Sequence, residues 1–270
     1  MLPIVEMRYA YFGQSGWRSE ASRDKAVLFD ADRLAERFRL FRSLALASLA
    51  DQSDGNFHFA LLTSEDLPAD HLALLREAVG DTLGDRGSVH ARGPGVAGDI
   101  FRQIRQGIMA ERPDSHALEV VLDDDDALAK DFLADLGQSA RLALARPTPA
   151  RDYMFFSHSR GVSMVIEEDG SLNFYLRESP YNNQGLALLA PVASRQNIYL
   201  ISHKKLAWNH PSLVINDMQF HYLRTIHADN DSAGKYDRSK PLKPVHRRQM
   251  RDRFPLLRAF IADQHARKQG

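Results

Sequence analysis

Residues 118–128 read Leu-Glu-Val-Val-Leu-Asp-Asp-Asp-Asp-Ala-Leu, and this stretch decides the fold. The apolar run Leu118–Leu122 has the composition of a buried strand, and Ala127–Leu136 has that of a helix. Between them stand four adjacent carboxylates, Asp123 to Asp126. An apolar strand that ends in such a cluster predicts an open α/β fold, because these folds bind ligands beyond the carboxyl ends of their strands.

Four neighbouring carboxylates repel one another unless a positive charge lies among them. A divalent cation that carries a phosphorylated ligand supplies this charge, because Mg²⁺ and Mn²⁺ prefer oxygen ligands and share them with substrate phosphates. The structural alternative is an acidic helix N-terminus, where capping and the helix dipole favour Asp. Four aspartates directly after a strand favour the metal or phosphate site.

The composition is that of one soluble domain of the larger kind, or of a domain with a small appendage. The chain has 270 residues, of which 44% are hydrophobic and 26% charged. The absence of cysteine excludes disulfides, thiolate nucleophiles and cysteine-bound metals. The formal net charge of zero gives no indication of nucleic-acid binding. We recognise no leader and no apolar run of membrane-spanning length, so we expect a cytoplasmic location.

Strands and helices alternate four times in the first half of the chain. The predicted strands are residues 3–12, 57–63, 88–91 and 116–122, and the predicted helices are residues 31–50, 69–79, 98–111 and one that ends near 145. This alternation predicts a mostly parallel sheet with helices on both faces.

After Pro147 the pattern changes to short strands with turns between them. Strands are predicted at residues 153–157, 161–167, 172–176 and 197–202, then a helix at 216–226 and a basic helix at 245–267. The second half is therefore expected to finish the sheet and to add a small mixed region.

Several stretches resemble the bacterial family known as "putative rhamnosyltransferases", in matching order over about residues 30–232. They are Leu34-x-x-Arg37-Phe38-x-Leu40-Phe41, Ser48-Leu49-x-x-Gln52-x-Asp54-x-x-Phe57, Thr63-Ser64-x-x-Leu67-Pro68, Leu122-Asp123-Asp124-Asp125-Asp126-Ala127-Leu128 and Leu223-Arg224-x-x-His227-x-x-Asn230-x-Ser232. The resemblance implies a GT-A fold and a nucleoside-diphosphate sugar as donor, and the family name points to rhamnose as the sugar.

The resemblance also implies an Asp-x-Asp site for Mn²⁺ or Mg²⁺. In that layout Asp123 faces the donor and Asp125 binds the metal, while Asp124 and Asp126 are the alternatives for these two roles. The metal would neutralise the charge of the departing diphosphate. Residues 1–235 would form the transferase domain, with a nucleotide-sugar half (1–145) and an acceptor half (146–235), followed by a basic helical extension (236–270).

Further residues receive roles from the same resemblance. Arg102 and Arg105, on the helix before the acidic cluster, would pair with the donor diphosphate, with a solvated helix face as the alternative. His227, at the end of the predicted helix 216–226, would be a further metal ligand, although the helix dipole alone also favours His there.

Asp217, at the head of that predicted helix, would be the general base of an inverting transferase. A helix cap is the structural alternative. The fold places the nucleotide base beside the first strand, where we expect contacts from Arg8, Tyr9, Gly13 and Gln14.

Two other functions stay open. An Asp-x-Asp phosphohydrolase also carries its motif after a strand, but there the motif follows the first strand rather than a strand in mid-chain. A non-catalytic module that binds nucleotide or carbohydrate through a metal is the other, and the presence of both Asp217 and His227 favours an enzyme over it.

The last segment is strongly basic, with eleven Lys or Arg and three Asp between Lys235 and Lys268. Its apolar residues Phe254, Leu257, Phe260 and Ile261 predict docking on the catalytic domain. Its charge also fits contact with an anionic membrane, which suits a lipid-linked saccharide as acceptor, with a glycan as the other acceptor. In that case the location would be the inner face of the membrane.

Overall fold

The strands and helices of the first half follow the predicted order. A computed structural model describes residues 1–14, 24–145, 152–202, 205–228 and 236–269. The elements up to the acidic cluster are β1 (Leu2–Arg8), α1 (Lys25–Leu28), α2 (Ala31–Leu40), a π-helical segment (Phe41–Leu46), α3 (Ala47–Ala50), β2 (His58–Ser64), α4 (Ala69–Leu83), a 3-10 turn (Gly84–Arg86), β3 (Gly87–Arg92), α5 (Ala97–Met109) and β4 (His116–Val121).

The second half contains more strands than helices. Its elements are β5 (Ala127–Leu128), α6 (Phe132–Leu144), β6 (Met154–His158), β7 (Arg160–Ile166), β8 (Leu172–Glu178), β9 (Ala187–Pro191), a 3-10 turn (Ile198–Leu200), α7 (Leu206–Asn209), β10 (Ser212–Ile215), β11 (Tyr222–Ile226), α8 (Pro244–Arg253) and α9 (Leu257–Gln269).

Seven strands form the central sheet in the order β10-β6-β9-β4-β1-β2-β3. β9 is antiparallel to both β4 and β6, and the other neighbouring pairs are parallel. A second sheet has the order β5-β11-β7-β8, with β11 parallel to β7 and antiparallel to β5. The predicted α/β class with a mostly parallel sheet is confirmed.

Side chains of β1 alternate between the two faces of the central sheet. Ile4 belongs to an apolar cluster with Phe101 and Ile104 of α5. Val5 and Met7 belong to a larger cluster that includes apolar residues of α2, α4, α6 and α9. Each large side chain buried this way contributes about 1.5–3 kcal/mol. Helices therefore cover both faces, as the alternating pattern predicts.

Three predicted elements of the second half are wrong. Residues 216–226 are a turn followed by strand β11, because Tyr222 to Ile226 are held between β5 and β7. Residues 197–202 contain a 3-10 turn that Asn197 caps by accepting a hydrogen bond from the Tyr199 N–H (2.9 Å). Ala127–Leu128 is a strand rather than the start of a helix, and α6 begins at Phe132.

The predicted basic helix is two helices that dock on the main domain. The break lies at Phe254, whose ψ of 75° is not helical, because Pro255 disfavours the helical conformation of the residue before it. Phe254, Leu257 and Phe260 are at most 1% exposed and belong to the large apolar cluster. Within the part of the chain that the structure describes, no helix is both long and apolar enough to span a membrane.

Candidate active site

The strand order reverses between β1 and β4. From β1 the chain moves outward to β2 and β3, and then crosses to β4 on the other side of β1. Such a switch point opens a crevice beyond the carboxyl ends of the strands, where open α/β folds bind ligands. Arg8 ends β1 at this crevice, and Asp123 follows β4 there. The acidic cluster therefore lies at the position that the topology favours for a ligand.

Two of the four aspartates are buried and bound to protein groups. Asp124 is 4% exposed and accepts two hydrogen bonds from Arg37, from Nε at 2.8 Å and Nη2 at 2.9 Å. Asp126 is 1% exposed, and its Oδ1 accepts a hydrogen bond from the Thr225 N–H at 2.7 Å. Burial, with the neighbouring Asp125, raises the pKa of both groups, that of Asp124 to about 6. Asp124 and Asp126 thus hold α2 and β11 against the cluster.

The alternate aspartates, Asp123 and Asp125, are partly exposed. Oδ2 of Asp125 lies 3.1 Å from Nε2 of His227. Burial alone would raise the pKa of Asp125, but the hydrogen bond with His227 and nearby arginines lower it below the usual value. Burial raises the pKa of Asp123, and Arg8 opposes that rise. The pair that the Asp-x-Asp layout selects is therefore the pair that faces the crevice.

Three arginines offset part of the repulsion among the four aspartates, which the sequence analysis assigned to a metal ion alone. Arg37 comes from α2, Arg8 from β1 and Arg224 from β11. Burial by itself would lower the pKa of Arg224, yet Asp126, Asp123 and Asp125 raise it. Sequence reasoning gave no role to Arg37 or Arg224, although both stand inside the stretches that resemble the family. Their positive charge, within the same set of stretches as the aspartates, is the sequence signal that could have identified both arginines.

The chain just after the cluster is fixed by two polar residues of the α3 region. The hydroxyl of Ser48 accepts a hydrogen bond from the Leu128 N–H at 3.2 Å. The Gln52 side chain donates to the Ala129 carbonyl at 2.9 Å and accepts from the Leu133 N–H at 3.0 Å. The motif residues Ser48 and Gln52 therefore determine how the acidic turn leaves β4.

The two arginines expected at the donor diphosphate both pair with protein carboxylates. Arg102 donates to Asp99 on its own helix at 2.8 Å. Arg105 is 1% exposed, forms an ion pair with Glu119 and donates to the carbonyl of Gln196 at 3.0 Å. A guanidinium so enclosed is not presented to a donor phosphate, and the structure assigns Arg105 to a buried network instead.

Asp217 and His227 lie on either side of β11, in settings that differ from the predicted ones. Asp217 is in the turn between β10 and β11 rather than at a helix head, and His227 follows a strand rather than a helix. Helix capping and the helix dipole are thus removed as explanations for these two residues. Asp217 lies beyond the carboxyl end of β10, at the same sheet edge as the acidic cluster. Asn230 and Ser232 of the last quoted motif fall outside the described residues.

A shallow open pocket of about 220 Å³ lies beyond β1, lined by Phe12, Gly13, Gln14, Pro94 and Gly95. It coincides with the position expected for the nucleotide base. Tyr9 does not reach it, because its side chain is fully buried and its hydroxyl lies 2.7 Å from Nε2 of His71. Gly13 is required here, since a Cβ would lie 2.8 Å from the Gly95 carbonyl oxygen and closer still to Tyr11.

In the described ranges, no group of three or more His, Asp and Glu is arranged to hold a metal ion. Asp125 and His227 are in contact at the crevice. Metal binding by the cluster stays a prediction.

The solved structures that match this chain share few identical residues with it. The chain is 12% identical to the S. aureus TarS fragment 1–349 solved in complex with UDP-GlcNAc, over 88% of this chain and 62% of that one, with a TM-score of 0.45. It is 13% identical to a structure described as a "putative nucleotide-diphospho-sugar transferase" from Desulfovibrio desulfuricans G20, over 98% of both chains, with a TM-score of 0.37. The chain spans about 60% of the length of the TarS fragment. With TM-scores below 0.5, no role is transferred from these proteins.

No functionally curated protein matches the sequence. The family described as "Putative rhamnosyl transferase" matches residues 5–239, which include β1, the acidic cluster, Asp217 and His227. Because this match extends over most of the chain, the protein belongs to that family.

Proposed function

We propose that the protein is a metal-dependent, inverting glycosyltransferase. It would move a sugar, rhamnose in our proposal, from a nucleoside diphosphate to a hydroxyl of a glycan or lipid-linked saccharide. The observation that carries the proposal is the partly exposed pair Asp123 and Asp125, with His227 at 3.1 Å from Asp125, at the switch point of the sheet.

The residues at the crevice suit a diphosphate and a divalent cation together. Mg²⁺ and Mn²⁺ are bound in many proteins by one or two carboxylates plus substrate phosphates, so a large protein cage is not needed. Asp125 and His227 would hold the ion, and Asp123 would face the donor. When bound, the ion supplies charge neutralisation for the departing diphosphate. Arg8, Arg37 and Arg224 add positive charge from the protein itself.

Asp217 would act at the acceptor end of the same sheet edge. In the proposed step, a carboxylate oxygen of Asp217 takes the proton of the acceptor hydroxyl. The acceptor oxygen forms the new bond to the anomeric carbon, while the bond to the diphosphate oxygen breaks and its electron pair leaves with the diphosphate. Attack from the side opposite the leaving group inverts the configuration.

The proposal is tested by thermal unfolding with UDP, GDP or dTDP, each with Mn²⁺, with Mg²⁺ and with EDTA. A nucleotide at 100 times its dissociation constant stabilises the fold by about 2.7 kcal/mol. We expect such stabilisation with one nucleotide, in the presence of a metal only. Failure of all three nucleotides with both metals would contradict donor binding.

Two further measurements separate the alternatives. Release of phosphate from p-nitrophenyl phosphate without a nucleotide would favour the phosphohydrolase. Nucleotide binding without sugar transfer, over a panel of nucleotide sugars and saccharide acceptors, would favour the non-catalytic module. A product whose anomeric configuration is opposite to that of the donor is the outcome expected of the inverting enzyme.

Membrane contact is proposed for the outer face of α8. Arg247, Arg248 and Arg251 are exposed there, and no carboxylate of the described residues lies within ion-pair distance of them. Val245 is 70% exposed one helical turn before Gln249, which contacts the turn that carries Asp217. Cations beside an exposed apolar side chain suit an anionic bilayer.

Vesicle flotation tests this contact. We expect binding to vesicles with phosphatidylglycerol and none to pure phosphatidylcholine. Charge reversal of the three α8 arginines to Glu should abolish binding, whereas reversal of three exposed arginines elsewhere should not: Arg42, Arg76 and Arg92. Equal loss in both triple variants would show that only net charge matters.

A further inference from the structure

The carboxylate of Asp217 is held from one side. Its Oδ1 lies 2.8 Å from Nε2 of His221 and accepts a hydrogen bond from the Gln219 N–H at 2.9 Å. Among the residues that the structure describes, Oδ2 accepts no hydrogen bond. The Asp217 side chain is 46% exposed. One oxygen is thus anchored, and the other is directed to solvent and open to a ligand.

His221 is a rigid partner for this carboxylate. Its side chain is 2% exposed. Its backbone N–H donates to the Arg160 carbonyl at 3.0 Å, and its carbonyl accepts from the Ala129 N–H at 2.9 Å. These bonds fix it to β7 on one side and to the chain after the acidic cluster on the other. A side chain held in this way restricts the rotamers of Asp217.

A second buried histidine, His158, lies behind His221. The two ring centroids are 4.1 Å apart, and Phe132 packs against both rings at 4.8 Å and 6.5 Å. Over the described residues, neither nitrogen of His158 has a hydrogen-bond partner, nor does Nδ1 of His221. Nδ1 of His221 therefore has no acceptor for a proton, so a neutral ring carries its proton on Nε2 and donates it to Asp217.

Burial keeps both histidines neutral. Burial, and next the neighbouring His221, lower the pKa of His158 to about 3. Burial also lowers the pKa of His221, although Asp217 opposes this, and Arg253 and Asp135 act on it with opposite sign. Burial alone would raise the pKa of Asp217, but the hydrogen bonds from His221 and Gln219 bring it below the usual value. The negative charge of the group therefore stays on Asp217.

We propose that His221 is a positioning residue, which anchors Oδ1 of Asp217 so that Oδ2 faces the acceptor hydroxyl. The neutral ring of His158 packs against His221 and supports it. This inference rests on the proposed role of Asp217 as the base. The pair inverts the familiar order in which an aspartate orients a histidine base, because here the buried histidine orients the aspartate. His221 itself does not touch the substrate.

The tautomer of His221 tests the arrangement without any substrate. Nitrogen-detected NMR of the uniformly labelled chain at pH 7 should show a neutral ring with a protonated Nε2 and a bare Nδ1. His221→Gln assigns the resonance. A ring protonated on Nδ1, or a charged ring at this pH, would overturn the proposal.

The carboxyl resonance of Asp217, assigned with Asp217→Asn, gives a second readout. His221→Phe should raise the pKa of Asp217, whereas His221→Gln should keep it low, because its amide nitrogen can reach the same carboxylate. An Asp217 pKa that does not respond to His221→Phe would refute the anchoring. Thermal melting of both variants identifies any loss of folding.

Turnover with dTDP-rhamnose as the probe donor completes the test. A misplacement of about 1 Å in a catalytic group costs about 100-fold in rate. We expect kcat to fall by about this factor in His221→Phe, with the donor KM within twofold, and to recover in His221→Gln. His58→Phe, which removes a half-buried histidine bonded to Ser88 at the far side of the sheet, is the matched control. If the wild type transfers nothing, the proposed function fails, while the two NMR readouts still decide the anchoring.

Discussion

The same two strands, β1 and β4, carry two carboxylate clusters in contrasting settings. Inside the sheet, Glu6 and Glu119 are 0% and 1% exposed. Glu119 pairs with Arg105, and Asn197 donates to Glu6 at 3.1 Å. At the edge, the aspartates 123–126 alternate between buried and partly exposed positions. The inner cluster is closed, whereas the outer cluster keeps two carboxylates facing the crevice.

The contrast teaches how to separate a structural carboxylate cluster from a candidate site. Both clusters contain arginine, so the presence of a counter-charge does not distinguish them. What differs is exposure: Glu6 and Glu119 are at most 1% exposed, whereas Asp123 and Asp125 of the outer cluster are partly exposed. Mutations should therefore reduce stability at the inner cluster and ligand binding at the outer one.

The largest effect is expected for Arg105→Ala. This change leaves Glu119 as an unpaired buried charge, which destabilises proteins by about 3–5 kcal/mol. Denaturant unfolding monitored by circular dichroism measures the loss. Arg105→Met combined with Glu119→Leu should lose much less, because both charges are removed together. A loss below about 1 kcal/mol for Arg105→Ala would mean that the inner cluster is not a closed ion pair.

A smaller effect is expected for Arg37→Ala at the outer cluster. Asp124 then loses both hydrogen bonds while it stays buried, and an unsatisfied buried group costs about 1–3 kcal/mol. Asp124→Ala and the double variant complete a cycle, in which a coupling energy near zero would contradict the pairing. Arg39→Ala, which removes an arginine of the same helix from its pair with Glu36, is the control.

The pH dependence of stability has opposite signs for Glu6 of the inner cluster and Asp125 of the outer one. Burial, and next the charge of Glu119, raise the pKa of Glu6 well above its usual value. The folded state therefore binds more protons than the unfolded state above the ordinary glutamate pKa, so stability falls as the pH rises through that window, by at most about 1.4 kcal/mol per pH unit for one proton. Glu6→Gln should flatten this slope in unfolding measured from pH 4 to 8. An unchanged slope would show that Glu6 does not cause the fall of stability with pH.

The smallest effect on stability is expected for Asp125→Asn. Its pKa is lowered, so its charge contributes stability above the ordinary aspartate pKa and loses it only as the pH falls, opposite in sign to Glu6. At pH 7 we expect a change below about 1 kcal/mol, together with loss of metal-dependent stabilisation by nucleotide. Asp99→Asn, which changes an exposed side chain of α5, is the control. A full nucleotide response in Asp125→Asn would remove Asp125 from the site.

Sequence reasoning predicted the fold where one kind of periodicity dominates. Helices with one apolar face, such as those predicted at 31–50 and 69–79, and the strands between them were located to within a few residues. β9 was missed, because Ala187 to Ala190 are buried on both faces and show no alternation. β11 was taken for a helix, because Met218, Tyr222, Leu223 and Ile226 also fit helical spacing. Its partners β5 and β7 come from distant parts of the chain.

The candidate site was predictable in its acidic half only. Four consecutive aspartates are visible in the sequence, but their alternation between buried and exposed settings depends on partners 87 and 99 residues away, at Arg37 and Thr225. Arg105 looked available because helical spacing does not reveal which face meets Glu119. The contact of His221 with Asp217 spans only four residues, yet it was hidden by the wrong assignment of a helix.

β11 also acts as a spacer with two functional ends. His221, just before it, holds Asp217, and His227, just after it, meets Asp125. Six residues of extended chain separate the Cα atoms of these histidines by about 20 Å, so the proposed base and metal site meet at one sugar only through side chains and ligands that lean toward each other along β11. An insertion of two residues would keep both histidines on the same face of the sheet but would lengthen the strand by about 7 Å. An insertion of one residue would place the two histidines on opposite faces. The length of this strand would therefore be a constraint on which donor and acceptor pairs the crevice accommodates.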